Sequence, residues 1–262
     1  TSVAKITDAG VPSPNAKTYT LTSNTDNLTG STGKDVYQGV YDAAGTGTGT
    51  TATSGDSMVG GTGEDTFNLS ITGDPAGQIL INGINADVEK ILISNYDSGD
   101  QTNEDHTYDA SLSDGLTTVG LSSSNDIGDT IFNNIKGGIV NAEMTSGSGD
   151  LTVTHVDSVV SGTADSMTIT VSGQTAGTFS ELSAAAGGIE TLNVVSKGSA
   201  NAVNITSGRN IATTVNISGD QNLTTTIGST VLETVDASAL TGKLNLTYAS
   251  AGDLTFTGGS GD

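Results

Sequence analysis

The chain has no cysteine and no tryptophan, and aromatic residues make up only 4% of its 262 positions. Without cysteine there can be no disulfide, no thiolate metal site and no cysteine nucleophile. Apolar side chains are also scarce, at 34% against the usual ~45–50%. A wide globular core is hard to fill from that stock. A thin solenoid is not, because each coil buries only a few Val, Ile, Leu or Thr side chains against its neighbours. Disorder is the competing reading of so polar a chain, but short apolar clusters recur throughout, which argues for order. Basic residues are few as well: 8 against 29 acidic ones, for a formal net charge of −21. Nucleic acid is excluded as a partner, since phosphate binding needs clustered Lys and Arg. An anionic membrane surface would repel the chain. No apolar run approaches ~18 residues, so no membrane insertion is expected. Self-repulsion on this scale hinders close packing unless cations neutralise it.

Glycine, by contrast, is abundant, with 36 residues, and much of it is patterned. Gly60 to Asn68 reads GGTGEDTFN. It fits G-G-x-G-x-D-x-U-x, the nonapeptide of calcium-binding β-helices, where U is large and apolar. The glycines allow tight turns that aim carbonyl oxygens at one point. Asp65 adds a carboxylate there, and Phe67 opens a strand. Hard oxygen ligands in loose geometry suit Ca²⁺. The pattern recurs as GSTGKDVYQ from Gly30 to Gln38, with Ser31 in place of the second glycine, and Asp35 lies 30 residues before Asp65. Half-repeats precede both copies: Asp26 in DNLT and Asp56 in DSMV each stand nine residues ahead of the next aspartate. The candidate ligand set is therefore Asp26, Gly30, Gly33 and Asp35, then Asp56, Gly60, Gly61, Gly63 and Asp65. GGSGD at the end adds Gly258, Gly259, Gly261 and Asp262. Stacked turns would let Asp35 and Asp65 share one ion, with Asp26 and Asp56 facing each other on the opposite edge. The plainer alternative is a pair of glycine-aspartate turns that join strands without metal.

Along the chain, residues 1–17 contain Pro12 and Pro14 and read as an arm or linker. Residues 18–96 form the start of a calcium-binding solenoid, with a Gly/Thr loop at 42–55 inserted before the second unit. The phrases NGINADVEKILISN and GGIETLNVVS both read as a glycine turn, an acidic residue and a strand. Residues 97–189 read as an irregular β segment of the same solenoid. Its first part, 97–109, is the densest acidic run, with Asp97, Asp100, Glu104, Asp105 and Asp109. It is either a solvated loop or a further Ca²⁺ site, and its spacing is not that of an EF-hand. A short helix is expected around SELSAAAG, within 179–189. From 190 to 262 short β-branched strands recur roughly every ten residues, up to the GGSGD motif. This beat suits an antiparallel sandwich or a parallel solenoid. The solenoid is favoured because the turns lack hairpin Asn-Gly pairs. Repeated Thr and Asn, as in VNI at 203 and 215, would also form ladders, and a coil would use ~20 residues. The chain starts at Thr1 without Met or a signal peptide and stops inside a motif, so both ends are expected to continue in a longer protein.

On three phrases the sequence resembles the calcium-dependent S-layer proteins of Gram-negative bacteria of the Caulobacter type, which carry RTX repeats. They are TLTSNTDNLTGSTGKDVYQG with SGDSMVGGTGEDTFNLS, then GGIETLNVVS, then TVNISGDQNLTTTIGSTVLETVDASALTGKLNLTYASAGDLTFTGGSGD. The resemblance implies an all-β, right-handed parallel β-solenoid with Gly/Asp calcium-binding turns, secretion by a type I system, and Ca²⁺-driven self-assembly into a two-dimensional lattice on the cell surface. Ligand carry-over is specific at Asp26, Asp35, Asp56 and Asp65. Any contact with lipopolysaccharide or cell-surface glycan would lie outside this chain, as would the secretion region.

A structural, non-enzymatic role is the expectation, with several structural Ca²⁺ ions. The alternative is an RTX-type adhesin or biofilm-matrix segment, likewise secreted and extracellular. An enzyme is disfavoured. No G-x-S-x-G stands in a strand-to-helix setting, H-E-x-x-H is absent, and the two histidines are His106 and His155. Acidic pairs such as Asp126 and Asp129 could serve a polysaccharide lyase or hydrolase, but they read as turn residues.

Overall fold

Every strand pairing among the described residues is parallel, and each strand bonds to one a full coil away. Parallel neighbours cannot be joined by a hairpin, so the chain must circle back between them. The result is an all-β parallel solenoid. The computed structural model describes residues 15–42, 49–73, 79–81, 84–97, 105–125, 129–183 and 187–261. Most of the 1–17 arm, the middle of the 42–55 loop, Asp100, Glu104, Asp126 and Asp262 lie outside the described residues.

One face is an eleven-stranded sheet. Its strands are Thr18–Thr20, Val36–Asp42, Thr66–Gly73, Lys90–Asp97, Thr118–Ser122, Asn141–Thr145, Ser166–Ser172, Thr191–Lys197, Thr214–Gly219, Thr234–Leu240 and Thr255–Thr257. The half-repeats supply a separate four-stranded sheet of Asn27–Thr29, Ser57–Val59, Ile84–Ala86 and Ser113–Asp114. An eight-stranded sheet begins with Ile79–Ile81 and His106–Asp109. It continues through Asp129–Ile135, Asp150–His155, Thr178–Ser183, Asn201–Ser207, Leu223–Gly228 and Leu244–Tyr248. The coils do not all keep the expected length of ~20 residues. Bonded partners on adjacent coils lie 30 residues apart at Asp35 and Asp65, and 20 apart at Asn210 and Thr230. No helix among the described residues is long and apolar enough to cross a membrane.

The core is narrow and built from strict alternation. In Thr66–Gly73 the buried side chains are Phe67, Leu69 and Ile71, with Asn68 and Ser70 between them partly exposed. Register then stacks like positions into columns. One runs Tyr37, Phe67, Ile91, Val119, Ala142, Ile169, Val194, Ile217, all of them buried. Each fully buried aliphatic side chain in such a column contributes roughly 1.5–3 kcal/mol.

Two local expectations are corrected. The residues expected to be helical begin with the strand Thr178–Ser183, which is bonded on both sides, to Asp150–His155 and to Asn201–Ser207. Period-two burial of Phe179 and Glu181, with two ladder partners, outweighs the helical preference of the alanines that follow; residues 184–186 lie outside the described set. The two VNI phrases do not form one ladder. Asn204 stands in the eight-stranded sheet, whereas Asn216 stands in the eleven-stranded sheet opposite Asn193 and donates to its Oδ1 at 2.9 Å. Two short strands per coil place neighbouring beats on different faces, so the ladder partner is the phrase one full coil away.

Candidate metal-binding turns

The turns leading into the eleven-stranded sheet bring the two repeats together. Val36 to Asp42 pairs with Thr66 to Thr72 residue for residue. Ahead of those strands Gly30 N–H donates to Val59 O at 2.7 Å and Thr66 N–H to Asp35 O at 2.9 Å. The turns approach so closely that side chains are excluded. Gly63 holds φ +139°, and a Cβ there would stand 2.8 Å from the carbonyl carbon of Gly33. A Cβ on Gly60 would collide with Asp87 O and Asp65 Oδ2.

The aspartates cap the corner. Where the chain turns into the sheet, a main-chain N–H faces the next coil, and a carboxylate of that coil accepts it. Lys17 N–H donates to Asp35 Oδ1 at 2.7 Å, Asp35 N–H to Asp65 Oδ1 at 2.6 Å, and Asp65 N–H to Glu89 Oε2 at 2.7 Å. Asp165 N–H donates to Glu190 Oε2 at 2.7 Å in the same way. The sequence phrases around Glu89 and Glu190 thus share one job, the capping of a part-buried peptide group. Glu89 is not among the site residues expected from the repeats; the signal that marks it is an acidic residue immediately before a strand.

Asp35 and Asp65 are fully buried, but they are not equivalent. Asp35 Oδ1 also accepts from Ser31 Oγ at 3.0 Å, and its Oδ2 takes the Ser31 N–H. Gly61 replaces Ser31 in the second repeat, and among the described residues no hydrogen-bond donor meets Asp65 Oδ2. Burial pushes the Asp65 carboxyl above its ordinary value; the Asp35 N–H opposes that, and the charges of Asp35 and Asp87 add to it. Burial likewise pushes Glu89 up. Of the nearby lysines, Lys34 is engaged with Glu64, and Lys90 with Glu64 and Glu143.

Asp26 and Asp56 also stack. Asp26 N–H donates to Asp56 Oδ1 at 3.0 Å, Thr53 N–H fills Asp56 Oδ2 at 2.6 Å, and Thr22 N–H fills Asp26 Oδ2 at 2.6 Å. Both carboxylates close turns of their own chain. Gly258, Gly259 and Gly261 follow the strand Thr255–Thr257, so they leave the eleven-stranded sheet at the edge opposite the turns that enter it. There Gly259 packs on Leu240 O and Gly261 on Gly242. The described glycines of the final motif are therefore not brought to the other two turns. In the acidic run, Asp109 caps the turn at Ser111 and accepts from Asn134, while Asp105, Asp129 and Asp150 stand in register on successive coils. Burial, then the charges of Asp150 and Asp105, push Asp129 up.

The donor set fits a hard divalent cation in kind: buried carboxylate oxygens and main-chain carbonyls over glycine. Over Gly30, a Cβ would meet Gly60 O, with Asp35 Oδ2 and the Tyr37 hydroxyl each 2.7 Å away. Among the described residues no three His, Cys, Asp or Glu side chains converge in the manner of a closed metal centre. An ion here would depend on carbonyls and water for much of its shell, as Ca²⁺ tolerates and zinc does not. No family model matches the chain, and comparisons with curated proteins and with solved structures likewise give no match.

Proposed function

We propose that the chain is a structural solenoid that takes up Ca²⁺ in its first coils and assembles with further copies into a lattice outside the cell. One observation carries this reading: Asp35 and Asp65 are buried together in stacked glycine turns, with Asp65 Oδ2 meeting no hydrogen-bond donor among the described residues. Buried charge without compensation is costly, and a cation that binds only the folded state removes the cost and stabilises the fold by mass action. A charge of −21 opposes compaction in the same sense. Folding would then wait for the calcium of the surroundings. The lattice rests on the resemblance of the repeat phrases to S-layer proteins.

The test is a calcium titration of the chain, followed by circular dichroism, thermal unfolding and negative-stain microscopy. The expected result is a rise in melting temperature with calcium, its reversal by EGTA, and ordered arrays in the calcium-loaded sample. Spectra and melting that ignore both calcium and EGTA would sink the reading. Calcium-dependent folding with copies that stay separate would move it to the adhesin class.

A further inference from the structure

The second repeat has a neighbour on each side, and only one of them is a repeat. Its other neighbour is the coil at 84–90, INADVEK, which has no glycine-aspartate pattern. Register nevertheless aligns it with the repeats. Val59 pairs with Ala86 and Thr66 with Lys90. Asp87 therefore stands beside Gly60, and Glu89 beside Asp65. The third turn covers the distance in fewer residues, and the extra methylene of Glu89 restores the reach to the Asp65 N–H. Asp87 holds φ +51°, a left-handed conformation unusual for a residue other than glycine. In this position its carbonyl oxygen lies against the Cα of Gly60, on the side where Asp65 Oδ2 also lies.

Two oxygens thus converge over Gly60 from adjacent coils. One is a main-chain carbonyl, and the other belongs to a fully buried carboxylate and meets no donor among the described residues. The equivalent oxygen of the first repeat, Asp35 Oδ2, is satisfied by Ser31 N–H. We propose that this third coil completes a divalent-cation site of its own with the second repeat, built from Asp65 Oδ2, the Asp87 carbonyl and the Glu89 carboxylate. The proposal rests on the calcium reading and extends it: the cation-binding stack runs one coil beyond the last recognisable repeat. It also moves the pairing of Asp65. Oδ1 of that residue serves Asp35, while Oδ2 faces the coil after it.

The experiment is isothermal titration of Ca²⁺ into the full chain, its E89Q variant and its D35N variant, with terbium luminescence read in parallel. In E89Q the amide side chain keeps an oxygen for the Asp65 N–H and removes only the charge. Tyr37, whose hydroxyl borders the oxygens over Gly30, sensitises terbium bound at the first site. E89Q is expected to weaken one class of site about 10-fold or more while the tyrosine-sensitised signal persists. D35N is expected to do the reverse. An E89Q titration identical to that of the wild type overturns this proposal alone; a wild-type chain that binds no Ca²⁺ overturns the calcium reading as well. Should E89Q fail to fold, Mn²⁺ added to the wild-type chain decides the matter by NMR. Broadening of the Asp87 and Glu89 amides at least as strong as that of the Ser31 amide supports the site, and broadening confined to the residues around Gly30 at saturating Mn²⁺ overturns it.

Discussion

The main-chain N–H of Asp35 donates to Oδ1 of Asp65 at 2.6 Å, a bond between residues 30 apart in the chain. It gives the second aspartate two separable duties. One oxygen caps a buried peptide group, which any side-chain carbonyl oxygen could do. On the proposed calcium reading, the other takes a cation, which needs the charge. D65N and D65A should therefore part company. D65A leaves the Asp35 N–H without an acceptor and should cost about 1–3 kcal/mol even in EGTA. D65N should cost far less in EGTA, yet lose most of the stabilisation that calcium gives the wild type. Urea unfolding of the three proteins with and without calcium measures both effects. Equal losses for the two variants in EGTA would mean that the cap is unimportant.

The close stacking of the turns makes a second demand. Gly63 combines φ +139° with a neighbour, the Gly33 carbonyl, that is backbone and cannot swing away. G63A should lower stability by about 2 kcal/mol or more. Gly137, equally glycine but with nothing within 4 Å of an added methyl, supplies the control. G137A should fall within about 0.5 kcal/mol of the wild type. Denaturation midpoints compare the two, and a tolerated G63A would mean that the turns do not stack as described.

Much of this architecture is legible in the sequence, and the reasons are physical. Alternation in MTITV and TFNLSI gives strands directly, because one face must be buried and the other wet. The 30-residue offset between Asp35 and Asp65 gives the stacking of the first coils. What the sequence hides is length. Coils that vary between 18 and 30 residues defeat a fixed period, so the repeated VNI points Asn216 to Asn204, whereas its partner is Asn193. Glu89 is hidden for a related reason: its turn is shorter, and a longer side chain makes up the difference. The apparent helix around SELSAAAG misleads because propensity is local, whereas Phe179 and Glu181 are held by strands on two other coils.

The Asn193–Asn216 contact offers a test of register in the regular part of the solenoid. Its 2.9 Å bond links side chains on the outer face, partly buried between neighbouring coils. N216A should cost about 0.5–1.5 kcal/mol. A double-mutant cycle with N193A should return a coupling of about 0.5 kcal/mol or more, as expected for residues in contact. The same cycle between Asn216 and Asn204 should return none. Coupling in the second pair and not the first would require a different register.

Glu181 supplies the last prediction. It is fully buried in the core, and among the described residues neither carboxylate oxygen has a hydrogen-bond partner of good geometry, the Ile189 N–H being the nearest donor. Burial pushes its carboxyl up to about 7; the nearby Ile189 N–H opposes this, and the charge of Glu190 adds to it. The folded protein therefore keeps this proton after the unfolded chain has released it. Stability falls as pH rises from about 4.5 to about 7 and stays lower above that, by about 3 kcal/mol in all. His155 works in the opposite direction. Burial lowers it to about 4, so the unfolded chain takes up a proton first, and stability is lost as pH falls from about 6.5 to about 4. The two slopes oppose each other between pH 4.5 and 6.5, and Asp65, Glu89 and Asp129, also pushed up by burial, add to the first, so the wild-type profile alone does not isolate Glu181. Substitution separates them. E181Q keeps a neutral side chain of the same size, so its advantage over the wild type should grow from near zero at pH 4 to about 3 kcal/mol at pH 8. Urea unfolding of both proteins across that range reads the difference, in which contributions common to both cancel. A difference that does not change with pH would show that the buried carboxyl titrates as it does in the unfolded chain.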